Sequence, residues 1–171
     1  KAEQFRIAKK TAERIVAEAK ARGYRPSELA RGLRTSRSNT LGLVVSDISN
    51  PFFANIAWAA EQAAEKAGFA TLVGSSGEDP AREKAYIENL RSRGADGLVI
   101  ASAGGDYEHL FKLKAEGYPF VLLDRVFEDL DCDWVAVDNV RAARTLIEML
   151  IDLGPRRIAF IGGRMETSTG R

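Results

Sequence analysis

One cysteine and one histidine in 171 residues leave little room for several kinds of chemistry. Cys132 alone cannot form an internal disulfide or a cysteine-based zinc site, which agrees with a reducing compartment. His109 has no second histidine with which to bind a metal and no nearby cysteine to activate; it falls in a charged helical stretch and is expected on its surface. No apolar run approaches the roughly 18–20 residues needed to cross a bilayer, and the opening KAEQFRIAKK lacks the apolar segment of a secretory signal. A cytoplasmic location without a membrane partner is therefore expected. Neither G-x-x-x-x-G-K-[ST] nor a G-x-G-x-x-G after a strand occurs, which removes the usual nucleotide sites; no cofactor and no catalytic residue is expected.

The hydrophobic share of 45% and charged share of 29% fit one well-buried globular core with an appendage. The net charge of +1 hides a division along the chain. Residues 1–37 carry eleven Lys or Arg against four Glu, a balance of +7, and the remainder carries 14 basic against 20 acidic groups, a balance of −6. A basic arm on an acidic body suits an arm that meets a polyanion while the body is held away from it. A solvated helix and linker would have the same composition.

Taken in order, residues 11–22 read as a helix, with Ile15, Val16 and Ala19 at helical spacing and Gly23 as its stop. Pro26 restricts Arg25 to extended conformations, and Ser27 can cap a short helix over residues 28–34. That helix is too short to persist alone, and Gly32 weakens it by a further ~1 kcal/mol relative to Ala. Residues 35–40, rich in Ser, Thr and Asn, look like a tether. From Leu41 onward short continuous apolar runs alternate with amphipathic segments. The pattern predicts an α/β fold with a doubly wound parallel sheet of six strands and five intervening helices, the last strand at 157–161. The opening without Met, and a last strand followed by ten residues with no helix, lead us to expect a longer headpiece before residue 1 and a second lobe after residue 171.

In an open parallel sheet the ligand crevice lies at the carboxyl ends of the strands. The residues just after the predicted strands are polar throughout: Ser46-Asp47, Ser75-Ser76, Ser102, Asp124-Arg125, Asp138-Asn139 and Gly162-Gly163. Carboxylates, hydroxyls and an arginine on one rim can bond a polyhydroxylated or phosphorylated small molecule. Asp124-Arg125 is the sharpest pair, since it directly follows the apolar run FVLL; a local ion pair is the plainer reading. Asn50 should cap the next helix, Phe53 should face its core side, and Phe52 should point elsewhere. Trp58 lies beside the apolar face of its helix, and Trp134 opens a predicted strand, where packing is its expected role.

The segments TAERIVAEAKARGYRPSELARGLRTSRSNTLGLVV, DISNPFF, EDPAREKAYIENLRSRGADGLVI, VLLDR, VDN and RRIAFIGG, in this order and spacing, resemble the LacI-type (lactose and galactose repressor) family of bacterial transcription regulators. The opening KAEQFRIAKKTAERI is similar to the fructose catabolite repressor subgroup. The resemblance implies a homodimer, or a tetramer, that binds double-stranded operator DNA through a helix-turn-helix headpiece and a hinge helix, under control of a sugar or sugar-phosphate effector. It assigns residues 1–26 to the end of the headpiece, 27–40 to the hinge and linker, 41–161 to the first lobe of the sensor and 162–171 to the crossover toward a second lobe. It further implies DNA contacts by Arg25, Ser27, Ala30, Arg31, Leu33 and Arg34, with Leu33 as a minor-groove wedge. Effector contacts fall to Asp47, Asn50, Phe52, Ser75, Asp124, Arg125 and Arg171. Ser27 stands where the family commonly has Asn. A periplasmic-type sugar-binding protein, which shares the lobed fold, is the alternative.

Overall fold

The computed structural model describes residues 8–24, 37–163 and 167–170, and the chain divides into two units, Lys1–Ser38 and Asn39–Arg171. In the first unit a helix, α1, spans Lys9–Ala21, starting two residues before the predicted 11. It ends because Gly23 turns to φ +66° and the Tyr24 N–H closes back on the Ala19 carbonyl at 2.8 Å. None of its residues is buried, so Ile15 and Val16 stand exposed on a face that its own unit leaves uncovered.

The second unit is built on five parallel strands: β1 (Thr40–Val45), β2 (Ala70–Ser75), β3 (Gly97–Ile100), β4 (Phe120–Leu123) and β5 (Asp133–Val135). Their order is β2-β1-β3-β4-β5, with Leu43 opposite Val73 on one side and Val99 on the other. Helices α2 (Pro51–Lys66), α3 (Pro80–Ser92), α4 (Glu108–Ala115) and α5 (Asn139–Asp152) follow β1, β2, β3 and β5. Successive strand residues point to opposite faces, which divides the core in two. Leu43 and Val45 pack with Phe53 and Ala57 of α2, whereas Val44, Leu98, Ile100 and Leu122 pack with Ile87 and Leu90 of α3 and Leu110 and Leu113 of α4.

The helix starts follow from local chemistry. Asn50 accepts from the Phe52 N–H at 3.0 Å with Pro51 behind it, and Asp79 accepts from the Ala81 N–H at 2.8 Å with Pro80 behind it. Gly68, Gly94, Gly117 and Gly154, each just past the end of a helix, all take positive φ. Gly42 is set by crowding instead: a Cβ there would lie 2.4 Å from Leu98 Cδ2 and 2.9 Å from Leu90 Cδ1, both in the core. Gly42→Ala is therefore expected to lose about 1–3 kcal/mol of stability through overpacking. Equal denaturation midpoints for the variant and the wild type would contradict this.

Two expectations are corrected at the carboxyl-terminal end. Residues 157–161 form no strand, so the sheet has five strands among the described residues, and Phe160 is 84% exposed. Among the described residues four helices rather than five accompany the strands, and residues 124–132 carry the chain from β4 to β5 without one. The physical reason lies in β5, which is three residues long and exposed throughout. So short a strand offers little ladder to a sixth and little surface to a crossover helix. Accordingly α5 keeps its helical periodicity but buries none of its residues. Trp134, expected to pack, is exposed, as is Trp58.

Candidate functional site

The carboxyl ends of β1 to β4 lie side by side, and the loops that leave them form a single polar rim. After β1, Asp47 Oδ1 accepts from both the Oγ and the N–H of Ser49, at 2.7 and 2.9 Å. Those bonds hold its carboxyl below the ordinary range, and the residue itself is half-buried. Asn50 spends its side-chain oxygen on the α2 cap, so only its amide remains to offer. Phe52 is 46% exposed and meets Phe53 edge-on at 5.1 Å, with Phe53 in the core, as their positions on the helix suggested. Ser75 Oγ accepts from the Ile48 N–H at 3.1 Å and so ties the β2 end to the β1 loop.

Arg125 joins four loops. It leaves β4, and its Nη1 donates to the Ser102 carbonyl after β3 at 2.7 Å and to Ser46 Oγ after β1 at 3.2 Å. The guanidinium then forks onto Glu78, after β2, with Nη1–Oε2 at 2.7 Å and Nη2–Oε1 at 2.9 Å. Its side chain is 11% exposed and that of Glu78 is 29% exposed. The ion pair weighed as the plainer reading of Arg125 is thus present, but its partner is Glu78, 47 residues away, and not Asp124. Glu78 and Asp124 both take left-handed backbone conformations, at φ +61° and +67°, which a side chain bears only where its surroundings fix it. The Asp124 N–H donates to the Val135 carbonyl at 2.8 Å. Burial pushes the Asp124 carboxyl above its ordinary range, with Arg125 opposing the rise and Glu78 adding to it.

Beneath the rim lies a second polar cluster. Glu83, on the first turn of α3, is fully buried. Its Oε1 accepts from Ser102 Oγ at 3.0 Å and lies 2.8 Å from His109 Nε2, and its Oε2 accepts from the Ala103 N–H. His109 is consequently not a surface residue: its side chain is 7% exposed. Charged neighbours on α4 suggested otherwise, yet His109 stands one turn before buried Leu113, on the inward face. Ser46 and Ser102 were recognisable as rim positions; Glu78 and Glu83 were not. Glu83 shares its helix face with Ile87 and Leu90 at i+4 and i+7, and that spacing is the signal in the sequence that marks it as buried.

Of the residues singled out in the sequence, Asp47, Ser75, Asp124 and Arg125 belong to the bonded rim, and Asn50 and Phe52 begin the helix beside it. Arg25, Ser27, Ala30, Arg31, Leu33, Arg34 and Arg171 lie outside the described residues. Cys132, just before β5, is half-buried, and burial raises its thiol pKa. Among the described residues no group of three or more His, Cys, Asp or Glu could hold a metal ion, and no helix is long and apolar enough to cross a membrane.

Residues 38–171 match the family described as periplasmic binding proteins and sugar-binding domain of the LacI family. The sucrose operon repressor of Klebsiella pneumoniae is 34% identical over 171 residues, covering 98% of this chain and 50% of that protein. The fructose operon regulatory protein of Vibrio cholerae is 30% identical, covering 100% of this chain and 53% of its own length. Among solved structures, the Cra transcriptional dual regulator of Pseudomonas putida in complex with fructose 1-phosphate superposes with a TM-score of 0.72 at 33% identity, covering 77% of this chain and 49% of that one. The chain thus spans about half the length of the curated relatives it matches.

Proposed function

The chain belongs to the LacI family, and on that premise we propose that it is part of a transcriptional repressor whose affinity for operator DNA is set by a small sugar or sugar phosphate. The observation that carries this reading is that arm and sheet match together: the sucrose operon repressor aligns over 98% of the chain. That extent favours a DNA-binding regulator over a periplasmic sugar-binding protein, and the relatives named here are regulators rather than enzymes. Residues 1–26 then end a helix-turn-helix headpiece and 27–40 hold a hinge, in a protein that acts as a homodimer in the cytoplasm. Arg25, Arg31 and Arg34 neutralise phosphates, and Leu33 wedges a base step in the minor groove. A seven-residue hinge helix is too weak to stand alone and forms against DNA, which lets a change in the sensor control it. In the sensor, the effector sits on the rim of Asp47, Asn50, Phe52, Ser75 and Asp124 that Arg125 holds together, and the family resemblance assigns Arg171, outside the described residues, to the same effector.

The test is fluorescence anisotropy with promoter DNA and the protein expressed from its complete reading frame. Binding should weaken steeply with salt, and Leu33→Ala should lower specific affinity by about tenfold or more. A flat salt response, or unchanged affinity in Leu33→Ala, would overturn the DNA-binding reading.

A further inference from the structure

We infer that the rim takes a neutral, hydroxyl-rich ligand and turns away a phosphorylated one, with Glu78 as the residue that sets this choice. The inference rests on the effector reading above and narrows it. Its basis is the occupancy of Arg125. Nη1 of Arg125 is shared among Ser46 Oγ, Glu78 and the Ser102 carbonyl, and Nη2 is held by the other Glu78 oxygen. The Nε–H is buried with no partner. Held from three other loops, this guanidinium is part of the rim's frame rather than a fork open to a ligand. What faces outward is its counter-charge, since the Glu78 side chain is nearly three times as exposed as that of Arg125.

The remaining groups point the same way. Asp47 is half-buried and its carboxylate accepts hydrogen bonds only, and burial raises the pKa of the Asp124 carboxyl, with Glu78 adding to the rise. Among the described residues Arg82 is the other cation beside these loops; it is exposed and its Nη2 donates to the Ser75 carbonyl at 3.3 Å. The described half of the site is therefore rich in acceptors and carries more negative charge than positive. Sugar hydroxyls bring donors to such a surface. A phosphate group replaces one of those hydroxyl donors by a group that in its dianionic form has none, and it adds about −1.5 to −2 charges, so it meets like charge and leaves the acceptors facing it unmatched.

The complete protein, wild type and Glu78→Gln, should be titrated calorimetrically with glucose, fructose, ribose and sucrose, with glucose 6-phosphate and fructose 1-phosphate, and with inorganic phosphate. We expect the wild type to bind a free sugar at least about tenfold more tightly than the matching phosphate ester, with no competition from inorganic phosphate. Glu78→Gln, which keeps the shape and removes the charge, should narrow that preference about tenfold. A wild type that prefers a phosphate ester overturns the inference, whether or not the variant folds. So does a folded Glu78→Gln that leaves the preference unchanged. Binding of neither class, in protein that still binds its promoter, overturns the effector reading itself and the inference with it.

Discussion

Arg125→Ala is expected to lower the melting temperature by about 5–15 °C and to abolish the response to any sugar that binds the wild type. Truncation removes the bonds to Ser46, Glu78 and Ser102 in one step and leaves Glu78 without its partner, at a cost of about 2–4 kcal/mol. The figure sits below that of a fully buried pair because the Glu78 carboxylate keeps some contact with water. Arg125→Lys should recover little. A single ammonium supplies one point of charge, whereas this position needs a planar fork that satisfies a carboxylate on one side and a carbonyl and a hydroxyl on the other. Paired thermal melts and sugar titrations check both variants. A variant that melts with the wild type would mean the four loops are set by the strands alone.

Much of the scaffold was legible in the sequence because its determinants are local. The apolar runs at 41–45, 97–100 and 120–123 have the length and composition of buried strands, and Asn50 before Pro51 carries the local chemistry of a helix start, which Asp79-Pro80 repeats. The sixth strand failed for the complementary reason. The run at 157–161 has the composition of a strand, but a strand exists only if another lies beside it, and β5 is too short to provide that edge. Helix α5 shows the same limit, since its periodicity was read correctly while its packing could not be.

The site divides along the same line. Asp47, Ser75, Asp124 and Arg125 were found because their positions follow strand ends, and a strand end is visible in one dimension. The partner of Arg125 was not. Glu78 becomes its neighbour only through the order β2-β1-β3-β4, which folds separations of 79, 47 and 23 residues onto one guanidinium. The consequence is a change of role for Arg125. A residue picked as a donor to ligand is found bonded to three other loops, and the outward charge of the rim is that of its partner.

Glu83 marks the deepest point of this arrangement, and Glu83→Ala should cost more than any other single truncation in the site, about 3–5 kcal/mol. The substitution strands Ser102 Oγ, the Ala103 N–H and His109 Nε2 in a region where Ser102 and Ala103 are almost wholly excluded from water. Because the Ser102 carbonyl also holds Arg125, the damage passes upward: the loop after β3 loosens and the Arg125–Glu78 pair loses one of its supports. A milder change separates this coupling from simple loss of fold. Glu83→Gln keeps the volume but turns an NH2 toward groups that themselves donate, so it should cost about 1–3 kcal/mol and still fold. In that variant the sugar affinity should fall alongside stability, and a double-mutant cycle with Ser102→Ala should show a coupling of about 0.5–3 kcal/mol. Additive effects in the cycle, with sugar affinity untouched in Glu83→Gln, would reduce Glu83 to a buried polar group of the core with no hold on the rim.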